Sequence, residues 1–332
     1  MQQSDQTIRL LIAGTQFESV HHYLKAFIPD VSVEMIDVDQ LKECVHEADV
    51  LIPSMASIGE SIFARAVRLR LIQQWGVGLD NVEIEAASRH GIAVANVPSI
   101  ESKSAHSVAE WCIMASISLS RRFPEIQQYV RDAFPWGAPL GRTMEGRTAG
   151  LIGFGGVGQS LCRRLTALGM HVISVTRHPD HANKEDFGLK WIGDMSQLSR
   201  LLMLSDYLFI CVPLNDGTLN LIGEKELSML PRGAFLINPC RGPIIERDAL
   251  IDSLDKGHLG GVALDVFWKE PPDPNDPILD HFNVVATPHI AGVTDTAYEK
   301  IATTVAENIR RTMSGKLPLN CVNPQALSRL KR

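Results

Sequence analysis

A G-x-G-x-x-G run restricts what this chain can become more than any other stretch of it. Within "TAGLIGFGGVGQSLCRRLTALGM", residues 148–170, Gly153, Gly155 and Gly158 keep that spacing directly after an apolar strand and at the opening of a helix. The first glycine permits a tight turn, the second lets backbone amides approach a pyrophosphate, and the third lets helix and strand pack closely. Gly156 and Val157 fall in the first helical turn, where free N–H groups and the helix dipole favour an anion. Leu161, Leu165 and Leu168 supply the apolar face of that helix, and Gly169 ends it. A structural glycine turn is the weaker alternative once strand and helix flank the motif as they do here.

The rest of the chain supplies the sheets that such a unit needs. Short apolar segments alternate with helical ones, at 8–13, 31–36, 50–52, 71–74 and 92–95 in the first part. A second series follows at 149–153, 171–175, 207–211, 234–238, 262–266 and 284–287, the last a short buried strand stopped by a proline. Between the series a long helix is expected over 104–123, with Ser104 or Ser107 as N-cap and Glu110 closing a capping box from Ser107. A polar, Gly-rich connection, "PWGAPLGRTMEGRT", leads out of it. The tail carries one more helix, with Ile301, Val305 and Ile309 at four-residue spacing and Gly315 as its stop. The expected class is α/β, with two domains built on parallel sheets.

Length and charge narrow the function. The 332 residues, 45% hydrophobic and 21% charged, suit two soluble domains that each bury a full core. A net charge of -6 without a long Lys/Arg run lacks the electrostatic footprint of a nucleic-acid or anionic-membrane partner, so small-molecule chemistry is expected. The apolar run at 8–13, interrupted by Arg9, is too short for a secretory core, and no later stretch approaches a membrane span. A cytoplasmic location is expected. Cys44, Cys112, Cys162, Cys211, Cys240 and Cys321 are scattered without a C-x-x-C pair, which leads us to expect neither disulfides nor a metal site.

The second strand after the glycine motif, in "HVISVTRHPD", meets the adenosine ribose in folds of this type. A site selective for NAD has a carboxylate there, whereas this chain offers Thr176 and then Arg177. A small hydroxyl followed by a guanidinium can hold a 2′-phosphate by charge-assisted bonds, so NADP is favoured over NAD. The alternative is a solvated Arg177 with Asp180 or His178 nearer the ribose.

Ligands of open α/β sheets sit beyond the carboxyl ends of the strands, and three segments put unusual residues at that edge. "AFLINPCRG" presents Arg241, "GVALDVFWKEPP" presents Glu270, and "NVVATPHIAG" presents His289. Singly, each reads as a solvated or structural group. Together they form an acid/base set: an imidazole for a proton, a carboxylate to orient it, and a guanidinium to clamp an anion. Asp265, inside the apolar "GVALDVF", carries a charge that needs a partner, and the cofactor is a candidate for it.

At this point the sequence resembles the D-isomer-specific 2-hydroxyacid dehydrogenases. The likeness spans nearly the whole chain, in the order "GVGLDNVEIEAASRHGIAVANVP", "SVAEWCIM", "GLIGFGGVGQ", "CVPLNDGTLNLI", "LINPCRGPIIERDAL", "GGVALDVFWKEPP" and "VVATPHIAG". The resemblance implies that Arg241 binds the substrate carboxylate and polarises the keto oxygen, that His289 exchanges the proton, and that Glu270 pairs with His289. It implies that Asp265 contacts the nicotinamide carboxamide, that Pro213 lies at the cofactor edge, and that the backbone N–H groups of Val77 and Gly78 meet the same carboxylate. The glycines around Val77 and Gly78 are equally compatible with a plain turn. Glu270 stands where the formate dehydrogenases resemble this pattern with Gln, which argues against them. A cofactor-sensing scaffold of the co-repressor kind keeps the same residues and stays open as the rival reading.

The resemblance further implies Rossmann-like and flavodoxin-like domains, 1–104 plus 296–332 for substrate and 105–295 for the dinucleotide. The active site is expected in the interdomain cleft. The substrate class it implies is a 2-keto or 2-hydroxy acid such as glyoxylate or hydroxypyruvate, handled by a homodimer. "SIESKSAHS", longer than the usual family stretch, leaves the substrate's side chain unspecified.

Overall fold

Strands that are apolar on both sides can be accommodated only in a sheet covered on both faces, and helical crossovers supply that cover. The computed structural model describes residues 7–15, 18–126, 137–181 and 184–326. The polar N-terminal residues 1–6 and positions 135–136 of the Gly-rich connection lie outside the described residues. The chain divides into two compact units, 1–104 with 294–332, and 105–293.

The first unit is built on β1 (Ile8–Ala13), β2 (Val31–Ile36), β3 (Val50–Ile52), β4 (Leu71–Gln73) and β5 (Ala93–Ala95). They run parallel in the order β2-β1-β3-β4-β5, the flavodoxin-like order. Side chains alternate between two cores, Leu11, Leu51, Ile72 and Val94 on one face and Leu10, Ile12, Val50 and Leu71 on the other. Ile301, Val305 and Ile309 of the helix Asp295–Met313 close the second face, as their spacing predicts. Burial of each contributes about 1.5–3 kcal/mol. That helix begins at Thr294, whose hydroxyl accepts from the Ala297 N–H, and is followed by Gly315 at a φ of 75°. The tail then blunts the exposed edge of β5, where Val322 N–H donates to Val94 O at 2.9 Å.

The second unit holds β6 (Thr148–Ile152), β7 (His171–Val175), β8 (Trp191–Gly193), β9 (Tyr207–Ile210), β10 (Phe235–Asn238), β11 (Gly261–Leu264) and β12 (Val284–Ala286). Their parallel order, β12-β11-β10-β9-β6-β7-β8, is the dinucleotide-binding order extended by one strand. The direction of winding reverses between β6 and β9. A crevice beyond the carboxyl ends of the strands at that reversal is where the topology leaves room for a ligand.

Four expectations need correction. Strand β8 is missed by sequence reasoning because it is three residues long, pairs only with β7, and is half-buried without alternation. Strand β12 is an edge strand, half-buried to exposed, where a buried one was expected. Ser107 is not the N-cap: the helix starts at Ser104, Ser107 is buried in its interior, and Glu110 binds Arg164 at 3.1 Å. It is the Ser102 hydroxyl that accepts from the Ser104 N–H, at 3.3 Å. Leu168 falls just past the last turn of Gly156–Ala167 and is 41% exposed, so Cys162 takes its expected place on the buried face with Leu161 and Leu165.

Candidate active site

The glycine motif forms a cradle for steric reasons that can be read one residue at a time. Gly153 has a φ of 99°, and a Cβ there would collide with the carbonyl oxygen of Cys211 at the end of β9. A Cβ on Gly158 would collide with the Gly153 carbonyl. Gly155 differs: a Cβ would meet nothing within 4 Å, so the space beside it is open. The helix behind it runs Gly156–Ala167, and its first bond is Gln159 N–H to Gly155 O, 2.9 Å. The N–H groups of Gly156, Val157 and Gly158 therefore have no helical acceptor and are available to an anion.

Beyond β7, Thr176 is half-buried and Arg177 exposed. No carboxylate ends that strand; His178 and Asp180, both exposed, come later. Beyond β9, Pro213 opens a tight turn in which Thr218 Oγ1 donates to Pro213 O at 2.7 Å and accepts from Asn215 N–H at 2.8 Å.

The chemistry gathers at three neighbouring strands. Asn238 of β10 pairs with Leu264 of β11, which pairs with Ala286 of β12, so three loops leave the sheet at one level. After β12 comes His289, and its Nδ1 lies 2.7 Å from Glu270 Oε2. After β11, the other Glu270 oxygen accepts from Phe267 N–H at 3.0 Å, which fixes the carboxylate. Burial pushes the Glu270 pKa up, but the His289 bond and charge, the Phe267 N–H and the Arg241 charge outweigh it and hold the carboxyl below its ordinary value. The Arg241 guanidinium after β10 is thus within electrostatic reach of the pair. Its backbone is set by Asn238, whose Nδ2 donates to Arg241 O at 2.8 Å while its Oδ1 accepts from Cys240 N–H at 3.0 Å.

Asp265 finds partners for its charge within the chain. It is 1% exposed, and its carboxylate is satisfied by the chain itself: Thr287 Oγ1 donates at 2.6 Å, Ile290 N–H at 2.8 Å and Ala291 N–H at 2.8 Å. Its own carbonyl accepts from His289 N–H at 2.8 Å. Asp265 therefore wraps the His289 loop from both sides, and His289 is held at a φ of 56°, a left-handed conformation that a side chain other than Gly or Asn rarely adopts. Burial raises the Asp265 pKa against the opposing effect of those bonds. Trp111 extends the chain of bonds, donating from Nε1 to Thr287 Oγ1 at 3.0 Å. Sequence reasoning missed Trp111, Thr287 and Asn238; the one usable signal was the charge of Asp265 among apolar neighbours.

In the first unit, Val77 is 47% exposed and Gly78 half-buried, in the loop after β4. The carbonyl oxygens there are bonded, Gly76 O by Val97 N–H at 2.8 Å, Val77 O by Asn96 Nδ2 at 2.8 Å and Gly78 O by Gln74 Nε2 at 2.6 Å. Among the described residues the N–H groups of Val77 and Gly78 have no intramolecular acceptor.

Comparison with known proteins bears on the whole of this arrangement. Residues 113–291 match the family model described as D-isomer specific 2-hydroxyacid dehydrogenase, NAD binding domain. The chain is 34% identical over 298 residues to a glyoxylate reductase of Thermococcus litoralis, covering 87% of each. It is 33% identical over 297 residues to a glyoxylate reductase of Korarchaeum cryptofilum, covering 87% of this chain and 86% of that one. Among solved structures, D-lactate dehydrogenase from Aquifex aeolicus, complexed with NAD and lactic acid, superposes with a TM-score of 0.81 at 26% identity, over 95% of this chain and 99% of that one. The apo-structure of D-lactate dehydrogenase from Escherichia coli gives 0.82 at 25% identity, over 95% and 100%. With sequence, sheet order and the cradle in agreement, the chain belongs to the D-isomer specific 2-hydroxyacid dehydrogenase family.

Proposed function

We propose that this chain is a nicotinamide-dependent oxidoreductase that interconverts a 2-keto acid and a D-2-hydroxy acid, with His289 as its acid/base. The observation that carries the reading is the 2.7 Å bond between His289 Nδ1 and Glu270 Oε2, on loops of adjacent strands, with Arg241 on the loop of the next strand, β10. Two glycines without room for a Cβ, one with open space, and a helix N-terminus of free amides fit a dinucleotide pyrophosphate. Gly153, Gly155, Gly156, Val157 and Gly158 would hold it, with Pro213 at its edge. When bound, the cofactor supplies or takes up the hydride.

The chain's own residues do the rest. With Nδ1 committed to Glu270, Nε2 of His289 is the nitrogen left to give a proton to the keto oxygen and to recover it in the reverse direction. Glu270 favours the imidazolium that forms in that reverse step. Arg241 clamps the substrate carboxylate and stabilises charge developing on the keto oxygen, and the amides of Val77 and Gly78 offer donors to a carboxylate. Asp265 anchors the His289 loop, and Oδ2, which among the described residues accepts from Ala291 N–H alone, keeps a lone pair for the nicotinamide carboxamide.

Relatives named glyoxylate reductase support glyoxylate, hydroxypyruvate or a close homologue as substrate. The end of β7, Thr176 and exposed Arg177 with no carboxylate, supports NADP alongside the NAD named in the family description. Exposed Met114 and Ile117 on the helix Ser104–Ser120 support a homodimer. The test is oxidation of NADH and of NADPH with glyoxylate, hydroxypyruvate, pyruvate and phenylpyruvate. Turnover with at least one pair is expected; silence with all of them would move the reading to the cofactor-sensing scaffold.

A further inference from the structure

We infer that Asn96 and Gln74 are positioning residues for anion binding at the Val77–Gly78 turn, orienting amides that they do not themselves carry. The inference rests on the proposed function, in which that turn offers its amides to a carboxylate. In a trans peptide the N–H points away from the C=O of the same plane, so fixing a carbonyl fixes the direction of the amide that follows it. Asn96 Nδ2 holds Val77 O at 2.8 Å and so sets the Gly78 N–H; Gln74 Nε2 holds Gly78 O at 2.6 Å and sets the Leu79 N–H. Val97 N–H does the same at Gly76 O, 2.8 Å, for the Val77 N–H. These are successive amides without an intramolecular acceptor among the described residues, each with its carbonyl tied on the protein side.

The ties are themselves supported from beneath. Gln74 is 7% exposed, its Oε1 accepts from Trp75 N–H at 3.1 Å, and its Nε2 also reaches Ser54 O at 3.3 Å. Gln74 O accepts in turn from Gln73 Nε2 at 3.0 Å, and Gln73 Oε1 accepts from Asn308 Nδ2 at 2.7 Å. Neutral carboxamides run through the unit to the turn, and none of them brings a negative charge near a carboxylate guest. The ties that preorganise the turn are themselves uncharged.

The experiment measures the affinity of oxamate, a carboxylate isostere of pyruvate, for the full chain with reduced cofactor bound, in Asn96→Ala, Gln74→Ala and Arg241→Lys. Asn96→Ala leaves no buried void, and it is expected to weaken oxamate and raise the keto-acid KM about tenfold, the effect of one hydrogen bond to a charged group, with kcat and cofactor affinity within about twofold. Gln74→Ala is expected to act in the same direction. If both variants bind oxamate like the parent while Arg241→Lys does not, the inference is wrong and the proposed function stands. If Arg241→Lys also binds normally, the substrate reading itself fails. A loss spread equally over KM, kcat and cofactor affinity would mark Asn96 as merely structural and overturn the inference.

Discussion

The loop that carries His289 and the turn at Val77–Gly78 are built on opposite plans. The first is anchored by a buried carboxylate: Asp265 takes the hydroxyl of Thr287 and two successive amides, and Glu270 grips the imidazole. The second is anchored by neutral amides, Asn96 and Gln74, which use up carbonyls and leave N–H groups free. A loop that must hold a cation for part of a cycle gains from fixed negative charge nearby, whereas a turn that must receive an anion is harmed by it. The two regions thus differ in the sign of the charge they are prepared to meet.

Changes in the charged loop should have the larger effects. Arg241→Ala removes the guanidinium assigned to the substrate carboxylate, and kcat/KM is expected to fall by about 10³-fold or more, with cofactor affinity nearly unchanged, in steady-state kinetics and fluorescence titration. Asp265→Asn comes next. An amide cannot accept from three donors at once, so one N–H is set against another; we expect about 2 kcal/mol of lost stability in denaturant unfolding and a fall in kcat of about 10²-fold. If Asp265→Asn keeps full activity, the contrast between the two anchors is mistaken.

A smaller, pH-dependent effect belongs to Glu270. Its carboxyl is held below the ordinary value of 4.5, so the unfolded chain binds more protons than the native one in the window beneath that value. The stability it contributes is complete above the unfolded pKa and is lost as pH falls through the depressed folded one. The melting temperature of the wild type should therefore exceed that of Glu270→Gln at pH 7, and the difference should shrink as pH falls below the ordinary carboxylate value. Asp265 has the opposite sign: its pKa is raised, and its ionisation costs stability as pH climbs through that raised value. The smallest change expected is a shift of about three- to tenfold in the NADPH/NADH ratio of kcat/KM for Arg177→Ala, against little change in keto-acid KM.

Much of this was legible in the sequence because parallel sheets write themselves plainly. Apolar runs at 8–13, 31–36, 50–52 and 171–175 match the observed strands, and the glycine spacing at 153–158 is dictated by backbone collisions that any such turn must avoid. Arg241, Glu270 and His289 could be found because each follows the end of a strand, and strand ends of one sheet share an edge. What escaped has a common cause, since it depends on tertiary partners. The three residues of β8 are a strand only because β7 lies beside them. Ser107 resembles a cap in isolation, yet the helix begins a turn earlier. The charge of Asp265 was noticed, but its donors at Thr287, Ile290 and Ala291 are a loop away, and nothing local announces the left-handed backbone of His289. Asn96 and Gln74 look like ordinary loop and strand-end amides until their carbonyl partners are known.

The central claim is that His289, oriented by Glu270, carries the proton. It is tested most directly by single-turnover reduction of glyoxylate with His289→Gln, alongside a fluorescence titration of the same variant with reduced cofactor. The account predicts a loss in the chemical step of about 10³-fold or more with cofactor affinity within about twofold of the wild type. Reduction at the wild-type rate, or a loss that follows cofactor affinity alone, would contradict it.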